Sequence, residues 1–170
     1  MTSDILESIQ AAFDKEGTRF IVVGGLATIA HGYLRATTDI DIVIDLVPES
    51  IERAFAALES IGYKPHLPIT AKAFSNPETR HSWATEKNMT VLQFWSEKYP
   101  VIAIDLFVEA PFDFRKEWET AYKQSLTTKA SPIHFVSLAS LIAMKEKAGR
   151  PQDLADLEHL RSIQEQIEPK

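Results

Sequence analysis

Residues Phe20 to Asp45 read FIVVGGLATIAHGYLRATTDIDIVID, and the rest of the chain is arranged around them. The apolar run Phe20-Ile21-Val22-Val23 has the length and composition of a buried strand. It stops at Gly24-Gly25, after which Leu26 to His31 is compatible with a short helix that Gly32 ends. A glycine pair at such a junction lets backbone amides face outward at a helix N-terminus, a favourable place for an anion. From Ile40 the pattern alternates, so Asp39 and Asp41 project from one face of a second strand while Ile40, Ile42 and Ile44 pack on the other. The standard rise puts these carboxylates roughly 7 Å apart along the strand. Their side chains can converge, and two convergent carboxylates need a cation between them.

The chain has 170 residues, 45% apolar and 25% charged, which suits one globular domain with a core of its own. A formal charge of -6 argues against an extended nucleic-acid surface, since such surfaces cluster Lys and Arg against phosphates. With no cysteine there is neither a disulfide framework nor a thiolate metal site. No apolar run approaches the roughly 20 residues of a membrane span, and the start, MTSDILES, lacks a signal-peptide pattern. The expectation is a cytoplasmic protein without a membrane partner.

Ser3 is a fitting N-cap for a first helix with Ile5, Leu6, Ile9, Ala12 and Phe13 at helical spacing before Gly17. Pro48 and Ser50 open another, with Ile51, Ala54, Phe55, Leu58 and Ile61 on one face and Gly62 at its end. Lys64 to Asn88 holds three prolines and little periodicity, and reads as a long loop with at most a helical turn around Ala71 to Ala73. That loop would offer His66, Arg80, His81 and Trp83 to a ligand, or simply run over the surface. Thr90 to Trp95 and Val101 to Val108 read as an antiparallel hairpin. The second of these is apolar except for Asp105, and a lone carboxylate in a buried strand is expensive unless paired or metal-bound. Phe112 to Ser125 contains helix formers of weak amphipathicity, and Ile133 to Val136 suggests a short edge strand. Ser137 caps a helix carrying Leu138, Leu141, Ile142 and Lys145, and Gly149-Arg150-Pro151 turns into a last helix with Leu154, Leu157, Leu160 and Ile163.

Gly24-Gly25, thirteen intervening residues, Asp39-Ile40-Asp41-Ile42 and then Ile104-Asp105-Leu106 together resemble the signature of the nucleotidyltransferase superfamily with the DNA polymerase β-like core. Leu141-Ile142-Ala143-Met144-Lys145 with Gly149 to Leu157 is similar to the C-terminal helices of its AbiEii-type abortive-infection and toxin branch. The resemblance implies an α/β (α+β) fold, a small mixed β-sheet with helices packed against it. It implies a single domain, with a catalytic core at about residues 18–110 and C-terminal helices at about 137–166.

It also implies a reaction: transfer of a nucleoside monophosphate from an NTP such as ATP to a hydroxyl acceptor on RNA, a protein or a small molecule. Asp39, Asp41 and Asp105 would be the catalytic residues and metal ligands. Two Mg²⁺ ions suit these hard oxygen donors, with Mn²⁺ as the alternative. Gly24, Gly25, Arg35, Thr38 and Lys145 would bind the nucleotide's phosphates. Many relatives carry serine where this chain has Gly25, so a phosphate contact by hydroxyl is lost there. His31 reads as a packed or capping residue, and Arg150, Asp153 and Asp156 as a network joining the last two helices. Arg35 could instead pair with Asp39 or Asp41. In the toxin-like branch a cognate antitoxin or other protein would be a partner. The competing readings are a catalytically silent binding or regulatory module that acts through such a partner, and a metal-dependent hydrolase using the same carboxylates.

Overall fold

The computed structural model describes residues 2–126 and 131–167. Helix α1 (Thr2–Glu16) starts one residue ahead of the expected Ser3 cap and leads to strand β1 (Phe20–Val22) and the short helix α2 (Gly24–Ala30). Next come β2 (Ile40–Ile44) and α3 (Pro48–Ser60), with Pro48 in the first turn, where a missing N–H does no harm. Helices α1 and α3 pack on each other, and their Ile5, Ile9, Phe13, Ile51 and Ala54 are fully buried.

Residues 64–88 are largely folded, a correction to the loop expected there: a two-residue strand β3 (Lys64–Pro65), then helices α4 (Ala71–Ser75) and α5 (Pro77–Glu86). The prolines that look like breakers sit where helices and sheets tolerate them, Pro65 on an edge strand and Pro77 in the first turn of α5. The Thr70 side chain accepts from Ala73 N–H, and Asn76 accepts from Thr79 N–H, so both helices are properly capped. Their packing defeats periodicity because the buried residue of α5 is Arg80. Its guanidinium donates to the Phe74 carbonyl and lies over the Phe74 ring.

The chain continues through β4 (Val91–Trp95), β5 (Ile104–Phe107), α6 (Phe114–Thr120), β6 (Tyr122–Gln124), β7 (Ile133–Phe135), α7 (Leu138–Ala148) and α8 (Pro151–Ile167). Seven strands form one mixed sheet in the order β3-β4-β5-β2-β1-β7-β6. The β4–β5 hairpin is antiparallel as expected, whereas β7 is an interior strand, parallel to β1 and flanked on its other side by β6. Strand β6 escaped notice because all three of its residues are exposed and carry no alternating pattern.

One face of β2, β5 and β4 is fully covered: Ile40, Ile42, Ile104, Leu106, Leu92 and Phe94 are at most 1% exposed. The residues between them, Asp41, Asp105, Phe107, Val91 and Gln93, face the other way and keep access to solvent. Above this open face run α7 and α8, joined by a left-handed Gly149 (φ +61°). Among the described residues, no helix is long and apolar enough to cross a membrane.

Candidate functional site

Strands β2 and β5 are parallel and neighbouring, with Asp41 directly opposite Asp105. On the other side of β2, β1 runs antiparallel, and the Val23 N–H donates to the Asp41 carbonyl at 2.9 Å. The glycine turn after β1 therefore closes over the Asp41 side chain. Gly24 holds φ +63°, and a Cβ there would stand 2.0 Å from Asp41 Oδ2, so no other residue fits. The Gly25 N–H donates to the Asp41 carboxylate.

Gly25 is a packing requirement of a different kind. A Cβ at this position would come within 2.6 Å of Thr37 Oγ1 and 2.7 Å of Arg35 Nη2. The space a side chain would need at position 25 is filled by Thr37 and the Arg35 guanidinium. That guanidinium reaches Asp156 (Nη1 to Oδ2, 3.4 Å) rather than Asp39 or Asp41. Its Nε–H is buried without an acceptor, a donor left over beside the glycine turn. Thr38 is exposed and its hydroxyl lies 3.4 Å from Asp39 Oδ1.

Burial, then the neighbouring Asp105 and Asp39 charges, push the Asp41 carboxyl up to about 6, against the opposing pull of Arg150 and the Gly25 amide. Asp105 is raised too, chiefly by burial and partly by Asp39, although Gln93 Nε2 donates to its Oδ1 at 3.1 Å. These carboxylates crowd one another, and among the described residues no protein cation is bonded to them. Among the described residues no group of three or more His, Asp or Glu side chains is placed to hold a metal ion. The donor set instead suits a cation of the Mg²⁺ type, which takes one or two carboxylates and completes its shell with phosphate oxygens and water.

The facing wall is charged but self-sufficient. Lys145, buried on α7, donates to Asp156 Oδ2 at 2.6 Å and lies 3.4 Å from Asp153 Oδ1. Arg150 bonds Asp153 through both its backbone N–H and its Nε, at 3.2 and 2.7 Å. Burial acts to raise Asp153, but the Arg150 hydrogen bond with the Arg150 and Lys145 charges outweighs it and holds the carboxyl below its ordinary range. The network expected between the last two helices thus exists, with Lys145 and Arg35 as members.

Between the walls lies a cleft of about 590 Å³ that takes in Gly24, Asp41, Asp105, Lys145, Arg150 and Asp153. It brings together most of the residues singled out from the sequence; Gly25, Arg35, Thr38 and Asp39 border it without lining it. Of the segment 64–88, only Ala84 lines the cleft. His81 stands near its rim, 2.9 Å from Glu109, while Trp83 packs against Phe74. His31 caps α2 and meets the Val136 carbonyl at 2.7 Å, a structural post. Gln93 and Glu109 were not anticipated: the parity of Gln93 with the exposed face of β4 is visible in the sequence, but its partner on β5 is not.

Paired carboxylates on adjacent parallel strands, closed over by a glycine turn, define a nucleotidyltransferase-type core, and solved structures agree on the fold. ANT(2")-Ia in complex with adenylyl-2"-tobramycin is similar at TM-score 0.58 and 13% identity, over 95% of this chain and 88% of that one. The lincosamide antibiotic adenylyltransferase LnuA, lincomycin-bound, gives 0.58 and 18%, over 93% and 95%. An antigenic nucleotidyltransferase-like protein from Paracoccidioides brasiliensis gives 0.55 and 14%, over 95% and 74%. No functionally curated sequence matches the chain. Residues 3–167 match the family described as "Nucleotidyltransferase of unknown function (DUF6036)", and the chain belongs to that family.

Proposed function

We propose that this nucleotidyltransferase moves a nucleoside monophosphate from an NTP to a hydroxyl acceptor at the Asp41–Asp105 end of the cleft. The observation that carries the reading is the register pairing of these two carboxylates beneath a turn that admits only glycine at position 24. In the reaction the acceptor oxygen forms a bond to the α-phosphorus, the bridging α–β P–O bond breaks, and pyrophosphate leaves. The hydroxyl proton passes to Asp105, which Gln93 orients, and then to solvent. Asp39, Asp41 and Asp105 would hold divalent cations of the Mg²⁺ class, which supply charge neutralisation at the attacking and leaving oxygens. Gly24 and Gly25 would meet the triphosphate through backbone amides at the start of α2, with Arg35 packed behind Gly25 as a nearby positive charge. Thr38 orders Asp39, and Lys145 fixes the opposite wall.

Calorimetry with each NTP in Mg²⁺, on the native chain and on Asp39→Asn/Asp41→Asn, tests this directly. Binding that requires Mg²⁺ and vanishes in the double variant is the expected result. Equal binding by the variant, or none by the native chain, would sink it. The similarity of Leu141 to Leu157 to the toxin-like branch supports a macromolecular acceptor and a protein partner. The chemistry of the cleft supports another acceptor, argued next.

A further inference from the structure

Beyond the carboxylates the cleft changes character. Val91 and Phe107, cross-strand partners on the open face of β4 and β5, continue its floor past Asp105. Ala84 from α5 closes one side, and Leu141, Met144 and Ala148 from α7 form the roof. These six side chains line an apolar chamber, open to solvent on one side, next to the place where a hydroxyl would attack, with an adaptable thioether in its roof.

Few unpaired cations face this chamber. Arg35, Lys145 and Arg150, three cations in or beside the cleft, are each bonded to Asp153 or Asp156. Lys147 is the one lining cation without an acidic partner among the described residues. Glu109 lies at the chamber's end, with Asp105 on its floor. A polyanionic acceptor would find one unpaired lysine near Glu109 and its His81 partner, whereas phosphate-contacting surfaces need several unpaired Lys or Arg.

We infer that the chamber bounded by Val91, Phe107, Leu141 and Met144 seats the acceptor, and that this acceptor is a small hydroxyl compound with an apolar body and no negative charge. The inference rests on the nucleotidyl-transfer reading, and deepens it by naming the class of molecule whose oxygen receives the nucleotidyl group. The floor positions the apolar body by contact, leaving the hydroxyl at the Asp105 end.

N-phenyl-1-naphthylamine, a neutral ring probe whose fluorescence rises in apolar surroundings, tests occupancy on the full chain. Saturable binding that persists in excess NTP·Mg²⁺ and in excess tRNA is expected. Phe107→Asp and Met144→Asp should each weaken probe binding at least tenfold while NTP·Mg²⁺ affinity stays within twofold. Displacement of the probe by NTP would assign the chamber to the nucleoside, and displacement by tRNA would assign it to RNA; either overturns the inference. So does absence of probe binding, or unchanged affinity in whichever variant still binds NTP. Failure of the native chain to bind NTP·Mg²⁺ overturns the transfer reading itself, a result separable from all of these.

Discussion

The sheet wall and the helical wall of the cleft both hold charge away from bulk water, and they settle it differently. On the sheet wall Asp41 and Asp105 stand side by side with no protein cation bonded to either among the described residues, and both carboxyls are pushed up. On the helical wall Asp153 and Asp156 share Lys145, with Arg150 at the other oxygen of Asp153 and Arg35 at the same Asp156 oxygen as Lys145, and Asp153 is held down. The first arrangement is left uncompensated by the protein itself. The second is complete already and serves as scaffold.

Breaking the scaffold has the largest consequence. Lys145→Met leaves two buried aspartates without their shared cation, and should lower unfolding free energy by about 3–5 kcal/mol in urea titration. Adding Asp153→Asn and Asp156→Asn should recover much of that loss; no recovery would mean that packing rather than charge was disturbed. Gly24→Ala comes next, at about 2–3 kcal/mol, from a left-handed backbone and a methyl driven into the Asp41 carboxylate. It should also abolish Mg²⁺-dependent NTP binding.

On the sheet wall the sign reverses. Asp41→Asn removes a crowded charge, so the metal-free protein should gain about 1–2 kcal/mol at neutral pH while losing nucleotide binding, as thermal melts with and without NTP·Mg²⁺ would show. A loss of stability would mean that Asp41 is satisfied after all. The smallest effect lies far from both walls. His134 is buried against Trp118, ring centroids 3.6 Å apart, and burial with the nearby Lys123 and Arg19 charges lowers its pKa from the ordinary 6.5. The neutral ring is the folded form, so its stabilising share is complete above pH 6.5 and is lost as pH falls from there towards its depressed folded value. His134→Phe should flatten the stability profile in that window.

Much of the scaffold was legible because it obeys local rules. Caps and apolar spacing marked α1, α3, α7 and α8, and the alternation around Asp41 marked β2 with its correct open face. The glycine pair and the carboxylates on β2 and β5 were likewise readable, since their positions follow from strand parity and turn geometry. What escaped depends on contacts distant in sequence. Helix α5 is anchored by a buried arginine where an apolar stripe would be expected, although Asn76-Pro77 is a fair start signal in hindsight. Lys145 looked like a point charge for phosphate because its partners lie eight and eleven residues on, across a turn. Gln93 meets Asp105 only through the pairing of β4 with β5.

That arginine anchor has a consequence for the time course of opening. Helix α5 flanks the chamber through Ala84, and its one deeply buried side chain is the charged Arg80, with Trp83 half-buried against Phe74, so its lifting breaks one aromatic contact rather than a full apolar stripe. Amide exchange should accordingly begin across residues 78–86 through a sub-global opening, well before the amides of β2 and β5 are released by global unfolding. The Ala84 side of the chamber would thereby loosen on a shorter timescale than the strands that carry the carboxylates.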